Sequence, residues 1–224
     1  MSLKVMILAA GRGERMRPLS DTVPKPLLEA GGKPLIVHLI EGLARHGLRD
    51  LVINHSHLGE KISAYLGDGG RYGVRVAYSH EEGSGLETGG GIFKALSLID
   101  TDPFMVINGD IWTDYPFDRL PARLGGLAHL VLVDNPPQHP QGDFALRDGK
   151  VFAEGAPRQT FSGIGVYARA LFADCRPEKF PLAPLLRAAM ARGQVSGEHY
   201  TGRWRDVGTP QRLEELDREL RGND

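Results

Sequence analysis

A short apolar run near the start of the chain, Val5-Met6-Ile7-Leu8-Ala9-Ala10, leads directly into Gly11-Arg12-Gly13. Such a run, bounded by glycine, is typical of a strand that is buried on both faces of a sheet. Two glycines directly after a buried strand let backbone N–H groups approach a phosphate without a Cβ in the way. Arg12 and Arg15 add fixed positive charge beside this loop. The segment therefore favours an α/β fold whose first loop can bind an anionic group.

The loop differs from two common glycine-rich phosphate motifs. Position 16, where a dinucleotide fingerprint has its third glycine, is Met16, and no Gly-Lys-Ser/Thr follows at the spacing of a Walker A loop. Lys25 lies between Pro24 and Pro26, which restrict the backbone and present the ammonium group from a stiff segment. An unliganded strand-to-helix turn and an exposed loop lysine are the alternative interpretations of these two features.

Strand and helix patterns alternate along the first half of the chain. They predict strands over residues 5–10, 51–54, 74–78 and 104–108, and helices over residues 34–46, 58–66 and 88–98. After residue 115 they predict strands over residues 127–133 and near Phe144, Val151 and Ile164, and helices over residues 182–192 and 210–220. This alternation predicts a single α/β domain with a doubly wound, mainly parallel, Rossmann-like sheet that binds its ligand at the carboxyl ends of the strands.

The composition argues against several classes of protein. Lys and Arg total 27 against 28 for Asp and Glu, a net charge of -1, which disfavours a protein that coats nucleic acid or an anionic membrane. The single cysteine, Cys175, cannot form an internal disulfide. No segment approaches the roughly 20 apolar residues that span a bilayer, and no apolar leader precedes the first strand. We therefore expect a cytoplasmic protein without nucleic-acid or membrane partners, and the sequence leaves its oligomeric state open.

Several motifs occur together and in a fixed order. They are Leu8-Ala9-Ala10-Gly11 through Arg15-Met16, Pro24-Lys25-Pro26, Glu87-Thr88-Gly89-Gly90-Gly91-Ile92, Asn108-Gly109-Asp110 and Trp204-Arg205-Asp206-Val207-Gly208-Thr209. This set resembles the signature of the sugar-1-phosphate nucleotidyltransferases over nearly the whole chain. The resemblance implies a nucleotide-binding half over residues 1–110 and a sugar-phosphate-binding half, with a small β subregion, over residues 111–224. It implies magnesium-dependent transfer of a nucleotidyl group from a nucleoside triphosphate to a sugar-1-phosphate, with release of pyrophosphate.

The resemblance also assigns roles to individual residues. Arg15, Lys25 and Asp110 would be catalytic, and Asp110 and Asp206 would hold Mg²⁺, an ion that prefers oxygen ligands. For Asp206, a role as a helix cap or as a partner for Arg205 is the alternative. The nucleotide would contact Ala10, Gly11, Gly13, Glu14, Arg15, Lys25, His80, Gly85, Thr88 and Gly89, and the sugar phosphate would contact Asn108, Asp143, Glu154, Ser162 and Gly163. Asn108 and Ser162 could equally satisfy local backbone groups.

The sequence departs from the family pattern at two places. His80 occupies a position where relatives often carry a base-reading Gln. Many hexose-1-phosphate relatives carry Glu-Lys-Pro where this chain has Glu154-Gly155-Ala156-Pro157, so a positive charge near the sugar phosphate is missing. Arg158 is a candidate to replace that charge or to pair with a carboxylate on the acceptor sugar. Motifs such as Ser196-Gly197-Glu198-His199-Tyr200 most resemble a uridylyltransferase branch of peptidoglycan recycling.

Other interpretations remain open at this level. The chain could use glucose-1-phosphate or mannose-1-phosphate with a different base, since acceptor choice depends on few side chains. A nucleotide-sensing subunit without turnover is the alternative from another class, although such a protein would not need a metal pair. His55 and His57 flank Ser56 at the end of a predicted strand, and we do not expect this pair to bind a metal.

Overall fold

Nine strands form the central sheet of the computed structural model, which describes residues 3–83 and 85–222. In chain order the strands are β1 (Val5–Leu8), β2 (Glu29–Ala30), β3 (Lys33–Pro34), β4 (Asp50–His55), β5 (Arg75–His80), β6 (Phe104–Asn108), β7 (Ile111–Thr113), β8 (Ala128–Val133), β9 (Phe144–Arg147), β10 (Lys150–Phe152), β11 (Arg158–Tyr167), β12 (Val195–Tyr200) and β13 (Trp204–Asp206). The helices are α1 (Leu35–Arg45), α2 (Gly59–Leu66), α3 (Glu87–Ala95), α4 (Ala183–Ala191) and α5 (Pro210–Arg221). Two small sheets, β2-β3 and β7-β13, lie outside the central one.

The central sheet is mixed in direction. Its order is β5-β4-β1-β6-β11-β8-β12-β10-β9, and the neighbours from β5 to β6, together with β8-β12, are parallel. The other four neighbouring pairs are antiparallel. The expected parallel, doubly wound arrangement is therefore present in the half of the chain up to Asn108, where helices cross between strands. Beyond that point turns and loops make most connections between strands, which permits antiparallel pairing and makes the sheet as a whole less parallel than we expected.

Helices cover both faces of the sheet, as a doubly wound fold requires. Ile36 of α1 and Ile62 of α2 belong to the core on one face. Ile92 of α3 and Leu186 of α4 belong to the core on the other face. The predicted end of the first helix is confirmed, because α1 stops at Arg45 and Gly47 follows with a φ of 79°.

A third, smaller core fixes the elements around the first loop. Met16, Leu35, Trp112, Val207 and Leu213 pack together there. These residues come from the segment after β1, from α1, from β7, from the segment after β13 and from α5. The cluster therefore holds the glycine loop close to β7, which begins directly after Asp110, and to β13, which ends at Asp206.

The predicted elements agree with the structure except at short or polar segments. The first strand ends at Leu8 instead of residue 10, and the last turn of the third helix, Leu96–Leu98, is a 3-10 turn. The strands β2, β3, β7 and β13 were not predicted because each has only two or three residues. Strand β12 was missed because Ser, Gly, Glu and His interrupt its apolar pattern. No helix of the described residues is long and apolar enough to cross a membrane.

Candidate active site

A cleft of about 520 Å³ opens at the carboxyl ends of β1 and β6, the edge at which an α/β sheet of this kind binds ligands. It brings together ten of the residues assigned from the sequence, although they are far apart in the chain. These are Ala10, Gly11, Gly13, Glu14, Arg15, Lys25, Gly85, Thr88, Asn108 and Asp110.

The glycine loop has a conformation that its sequence explains. Gly13 has a φ of 64°, in the left-handed region, and its carbonyl accepts hydrogen bonds from Met16 N (2.8 Å) and Ser20 Oγ (2.8 Å). A Cβ at Gly13 would lie 3.2 Å from Lys25 Cβ, whereas a Cβ at Gly11 would meet nothing within 4 Å. Gly13 therefore shapes the loop against Lys25, and Gly11 leaves the floor of the cleft open.

Lys25 is a buried partner of Asp110. Lys25 is only 9% exposed, and its Nζ lies 2.7 Å from Asp110 Oδ2. Pro24 and Pro26 do not exclude helix entirely, since Lys25–Leu27 form a single 3-10 turn. The interpretation of Lys25 as an exposed loop lysine is wrong. Its ammonium group points into the cleft and meets a carboxylate there.

Asp206 lies beside Asp110 through strand pairing. It stands opposite Ile111 in the β13-β7 ladder, and Val207 N donates to Asp110 O at 2.9 Å. Its carboxylate forms an ion pair with Arg212, not with Arg205. Thr209, not Asp206, is the N-cap of α5. The two alternative interpretations of Asp206 are therefore wrong, although Asp206 itself does not line the cleft.

The two aspartates form a donor set that fits a hard divalent cation. Both are carboxylates on adjacent segments, and each has at present a basic partner, Lys25 or Arg212. No cluster of three His, Cys, Asp or Glu side chains suited to a metal occurs within residues 3–83 and 85–222. Two carboxylates with ligand phosphates completing the shell are the arrangement typical of magnesium.

The residues expected to face the sugar phosphate divide into two groups. Asn108 lines the cleft, and the positive φ of Gly163 (83°) lets β11 approach the Asn108 amide, whose Nδ2 would lie 2.6 Å from a Cβ there. Ser162 is 1% exposed, and its hydroxyl donates to Val131 O and accepts from Ile164 N. The Ser162 side chain therefore satisfies local backbone groups. Asp143 also serves the backbone, because its Oδ2 accepts from Phe161 N at 2.8 Å.

Arg158 and Glu154 pair with each other outside the cleft. Arg158 Nη2 lies 2.8 Å from Glu154 Oε2, and Arg158 Nε donates to Gly155 O. The Glu154 side chain is 86% exposed. The guanidinium group of Arg158, which the sequence offered as a partner for the acceptor sugar, is thus already paired with the exposed carboxylate of Glu154.

Two residues assigned to the nucleotide lie away from the cleft. His80 is exposed, with its ring 5.2 Å from the ring of His55. The pKa of His55 lies below its usual value mainly because the ring is buried and secondarily because His80 lies close to it. Gly89 is buried where α3 meets Phe180, since a Cβ there would lie 2.4 Å from the Phe180 ring.

Sequence reasoning missed two buried polar residues that do line the cleft, Asn54 and Glu81. Asn54 is the one amide in the apolar strand β4, and Glu81 directly follows β5. A polar side chain at the carboxyl end of a buried strand was the signal that could have found them. Glu81, one residue beyond His80, is the residue of this segment that reaches the cleft.

Comparison with known proteins shows which family and fold the chain resembles. Residues 4–144 match the family model described as nucleotidyl transferase. The chain is 50% identical over 224 residues to the N-acetylmuramate alpha-1-phosphate uridylyltransferase of Neisseria meningitidis, covering 95% of this chain and 96% of that protein. It is 34% identical to the protein of the same name from Caulobacter vibrioides, with 92% of each chain covered. The structure of HddC from Yersinia pseudotuberculosis complexed with GMP-PN shares the fold, with a TM-score of 0.80, 22% identity, and 97% and 99% of the two chains covered.

Proposed function

The chain belongs to the nucleotidyl transferase family, and from that premise we propose that it transfers the uridylyl group of UTP to N-acetylmuramate α-1-phosphate. The products are UDP-N-acetylmuramate and pyrophosphate, and the reaction serves peptidoglycan recycling. Two relatives that carry this name align along almost their whole length. The observation that carries the proposal is the ion pair between the buried Lys25 and the partly exposed Asp110, which faces the glycine loop in one cleft.

The glycine loop is suited to the part of the nucleotide that departs. In our proposal, backbone N–H groups near Gly11 and Gly13 hold the β- and γ-phosphates, and Arg15 adds charge to them. Arg15 crosses the end of the cleft, because its Nη2 would lie 3.2 Å from a Cβ placed on Gly208. Ala10 and Glu14 complete this wall.

The chemistry needs charge stabilisation more than proton transfer. A phosphate oxygen of the sugar-1-phosphate forms a bond to the α-phosphorus of the nucleotide, and the bond from that phosphorus to the β-phosphate oxygen breaks. The second pKa of a phosphate ester is about 6, so the attacking group is already ionised near neutral pH and no general base is required. Lys25 lowers the repulsion between the two anions at the α-phosphate. Positioning and electrostatics then supply most of the acceleration.

Enzymes of this family typically use a divalent metal ion. We propose that this ion is Mg²⁺ and that Asp110 and Asp206 hold it. When bound, it would neutralise charge on the phosphates during transfer. Lys25 and Arg212 are the present partners of the two carboxylates, so a bound ion would compete with these two ion pairs.

We assign contacts to the nucleobase and to the acceptor sugar only to residues that line the cleft. Gly85 and Thr88 line it and are our candidates for contacts to the nucleobase, while Asn108 is the candidate for the acceptor. Gly163 supports Asn108 from β11. His80, Gly89, Asp143, Glu154 and Ser162 lie outside the cleft lining, so any contact they make would require the ligand to extend beyond it.

A substrate panel tests the proposal. Pyrophosphate release is measured with UTP, dTTP, GTP and CTP against the 1-phosphates of N-acetylmuramate, N-acetylglucosamine, glucose and mannose, with magnesium and then with a chelator. We expect the largest, chelator-sensitive signal with UTP and N-acetylmuramate α-1-phosphate. A preference for dTTP or UTP with glucose-1-phosphate, or for GTP with mannose-1-phosphate, would contradict the substrate and retain the reaction class. Nucleotide binding without turnover on any acceptor would identify a nucleotide sensor.

A further inference from the structure

A chain of buried hydrogen bonds crosses the floor of the cleft beneath the glycine loop. Ala9 N donates to Asn54 Oδ1 at 2.8 Å, and Asn54 Nδ2 donates to Glu81 Oε1 at 2.6 Å. Leu86 N then donates to Glu81 Oε2 at 2.7 Å. Asn54 is 3% exposed and Glu81 is 2% exposed. This series of hydrogen bonds therefore links the segment before the phosphate loop to Leu86, the N-cap residue of α3.

Glu81 is an unusual buried group because both of its oxygens accept hydrogen bonds from neutral amides. This pattern is that of an ionised carboxylate. Within the described residues, no Lys or Arg forms an ion pair with it. A buried charge without a cationic partner is costly unless its hydrogen bonds are complete. Nothing in the proposed transfer reaction uses this carboxylate as an acid, base or nucleophile, so its role lies in the elements that it joins.

The backbone on the α3 side is shaped around this carboxylate. A Cβ at Gly91 would lie 2.5 Å from Glu81 Oε1 and 3.0 Å from Asn54 Nδ2, so α3 can rest on the pair only with glycine there. Gly85 has a φ of 81°, and a Cβ placed there would lie 3.6 Å from Glu81 Oε2 and 3.9 Å from Ala10 O. Glu87 has a φ of 59°, a strained value for a residue with a side chain. Strain of this kind persists only where neighbouring contacts fix the backbone. The hydrogen bond from Leu86 N to the Glu81 carboxylate is one of these contacts.

We propose that Glu81 is a positioning residue that sets the start of α3, with Gly85 and Thr88, at a fixed distance from the phosphate loop. Asn54 relays this position to Ala9, directly before the loop. The carboxylate thereby couples the phosphate end of the cleft to its base end, and it governs nucleotide affinity and base discrimination without taking part in the transfer. This inference rests on the proposed function, because Gly85 and Thr88 are the candidate contacts to the base.

Reversing the polarity of the central hydrogen bond tests the role directly. In Glu81→Gln, the side-chain amide cannot accept from both Asn54 Nδ2 and Leu86 N through separate oxygens. In Asn54→Asp, two carboxylates face each other. In the double variant Asn54→Asp/Glu81→Gln, Asp accepts from Ala9 N and from the Gln amide, and the Gln oxygen accepts from Leu86 N. The double variant thus keeps one negative charge and every hydrogen bond. Glu82→Gln, at the exposed neighbouring position, is the matched control.

Dissociation constants for UTP and CTP are measured by calorimetry without an acceptor, so that turnover does not enter. We expect each single variant to weaken UTP binding about tenfold and to reduce the UTP-to-CTP preference. The UTP dissociation constant of the double variant is expected to return to within about threefold of the wild-type value. The control Glu82→Gln is expected to bind UTP as the wild type does. Wild-type UTP affinity and base preference in Glu81→Gln would overturn the proposal. A double variant no better than the weaker single variant would overturn it as well.

Hydrogen exchange provides a readout that needs no nucleotide. Glu81→Gln is expected to accelerate exchange in the peptide over residues 85–95 and to leave the strand β6 unchanged. Unchanged exchange over residues 85–95 would refute the positioning role even if the variant were too unstable for calorimetry. If the wild type binds none of the four nucleoside triphosphates, the proposed function fails, while the exchange result still decides whether Glu81 positions α3.

Discussion

Lys25 Nζ and Asp110 Oδ2 lie 2.7 Å apart across a sequence separation of 85 residues. The pair joins the stiff Pro-Lys-Pro segment to the turn after β6, and it lies beside the glycine loop after β1. The second aspartate of the site, Asp206, has its own basic partner in Arg212. Each carboxylate of the proposed metal pair therefore has one basic partner in the free protein, and the backbones of the two segments that carry them are hydrogen-bonded to each other.

Asp110→Ala is expected to abolish most turnover while the protein remains folded. The change removes a proposed metal ligand and the partner of a buried ammonium group, so we expect a loss of at least about 100-fold in kcat. Asp110 is partly exposed, but its removal leaves the buried Lys25 ammonium group without this partner, so the loss of unfolding free energy is expected to be about 1–3 kcal/mol. Pyrophosphate release and thermal unfolding measure the two effects. A variant that stays active and magnesium-dependent would remove Asp110 from the metal site.

Arg15→Ala is expected to weaken nucleotide binding and to lose most turnover, because it removes fixed charge from the phosphate end of the cleft. Arg17→Ala is the matched control, since Arg17 is exposed, pairs with Asp21 and does not line the cleft. We expect no more than about a twofold change in the control, in line with the small worth of exposed ion pairs. Equal losses in both variants would indicate a general charge effect instead of a site contact. Steady-state kinetics with UTP as the varied substrate distinguish the two results.

Gly13→Ala and Gly11→Ala are expected to behave differently. At position 13 the left-handed backbone and the contact with Lys25 Cβ at 3.2 Å predict a loss of about 1–2 kcal/mol in stability. At position 11 an added methyl group meets nothing within 4 Å, so stability is expected to stay within about 0.5 kcal/mol of the wild type. Denaturant unfolding of the two variants provides the comparison. Equal stabilities would show that the loop can rearrange away from Lys25.

Arg158→Ala is expected to lower the preference for N-acetylmuramate α-1-phosphate over the N-acetylglucosamine compound and to leave stability nearly unchanged, because its ion pair with Glu154 is exposed. Glu154→Gln frees the guanidinium and is expected to retain or raise that preference. The ratio of kcat/KM for the two acceptors is the measurement. An unchanged ratio in Arg158→Ala would exclude this side chain from acceptor recognition.

His129 provides a pH-dependent contribution to stability that does not involve the cleft. Burial lowers the pKa of His129, whose Nδ1 lies 2.9 Å from Ser196 Oγ. The unfolded chain therefore binds a proton at a higher pH than the folded protein does. Stability is expected to fall as the pH decreases below the unfolded pKa of about 6.5 and down through the folded pKa. Urea unfolding between pH 7.5 and 5 is expected to show a smaller decrease for His129→Asn than for the wild type, whereas a variant of exposed His57 should follow the wild type.

The local pattern of the chain accounted for the nucleotide-binding side of the fold. Buried apolar runs predicted β1, β4 and β6, and helical spacing of apolar residues predicted α1. The glycines and basic residues after β1 predicted an anion-binding loop, and that loop now lines the cleft. These features are encoded by neighbours in the sequence, because strand burial, helix periodicity and turn chemistry act over a few residues.

Contacts between distant segments decided the rest. Only the tertiary structure shows that Arg212 forms an ion pair with Asp206 and that Glu154 forms one with Arg158. It alone shows that the Ser162 hydroxyl forms hydrogen bonds with backbone groups. It also shows that Glu81, not its neighbour His80, reaches the cleft. A polar residue can face solvent, a ligand or a buried amide with the same local sequence around it. Which of these it meets depends on the register of strands and helices that lie tens of residues away, and that register is fixed by packing across the whole core.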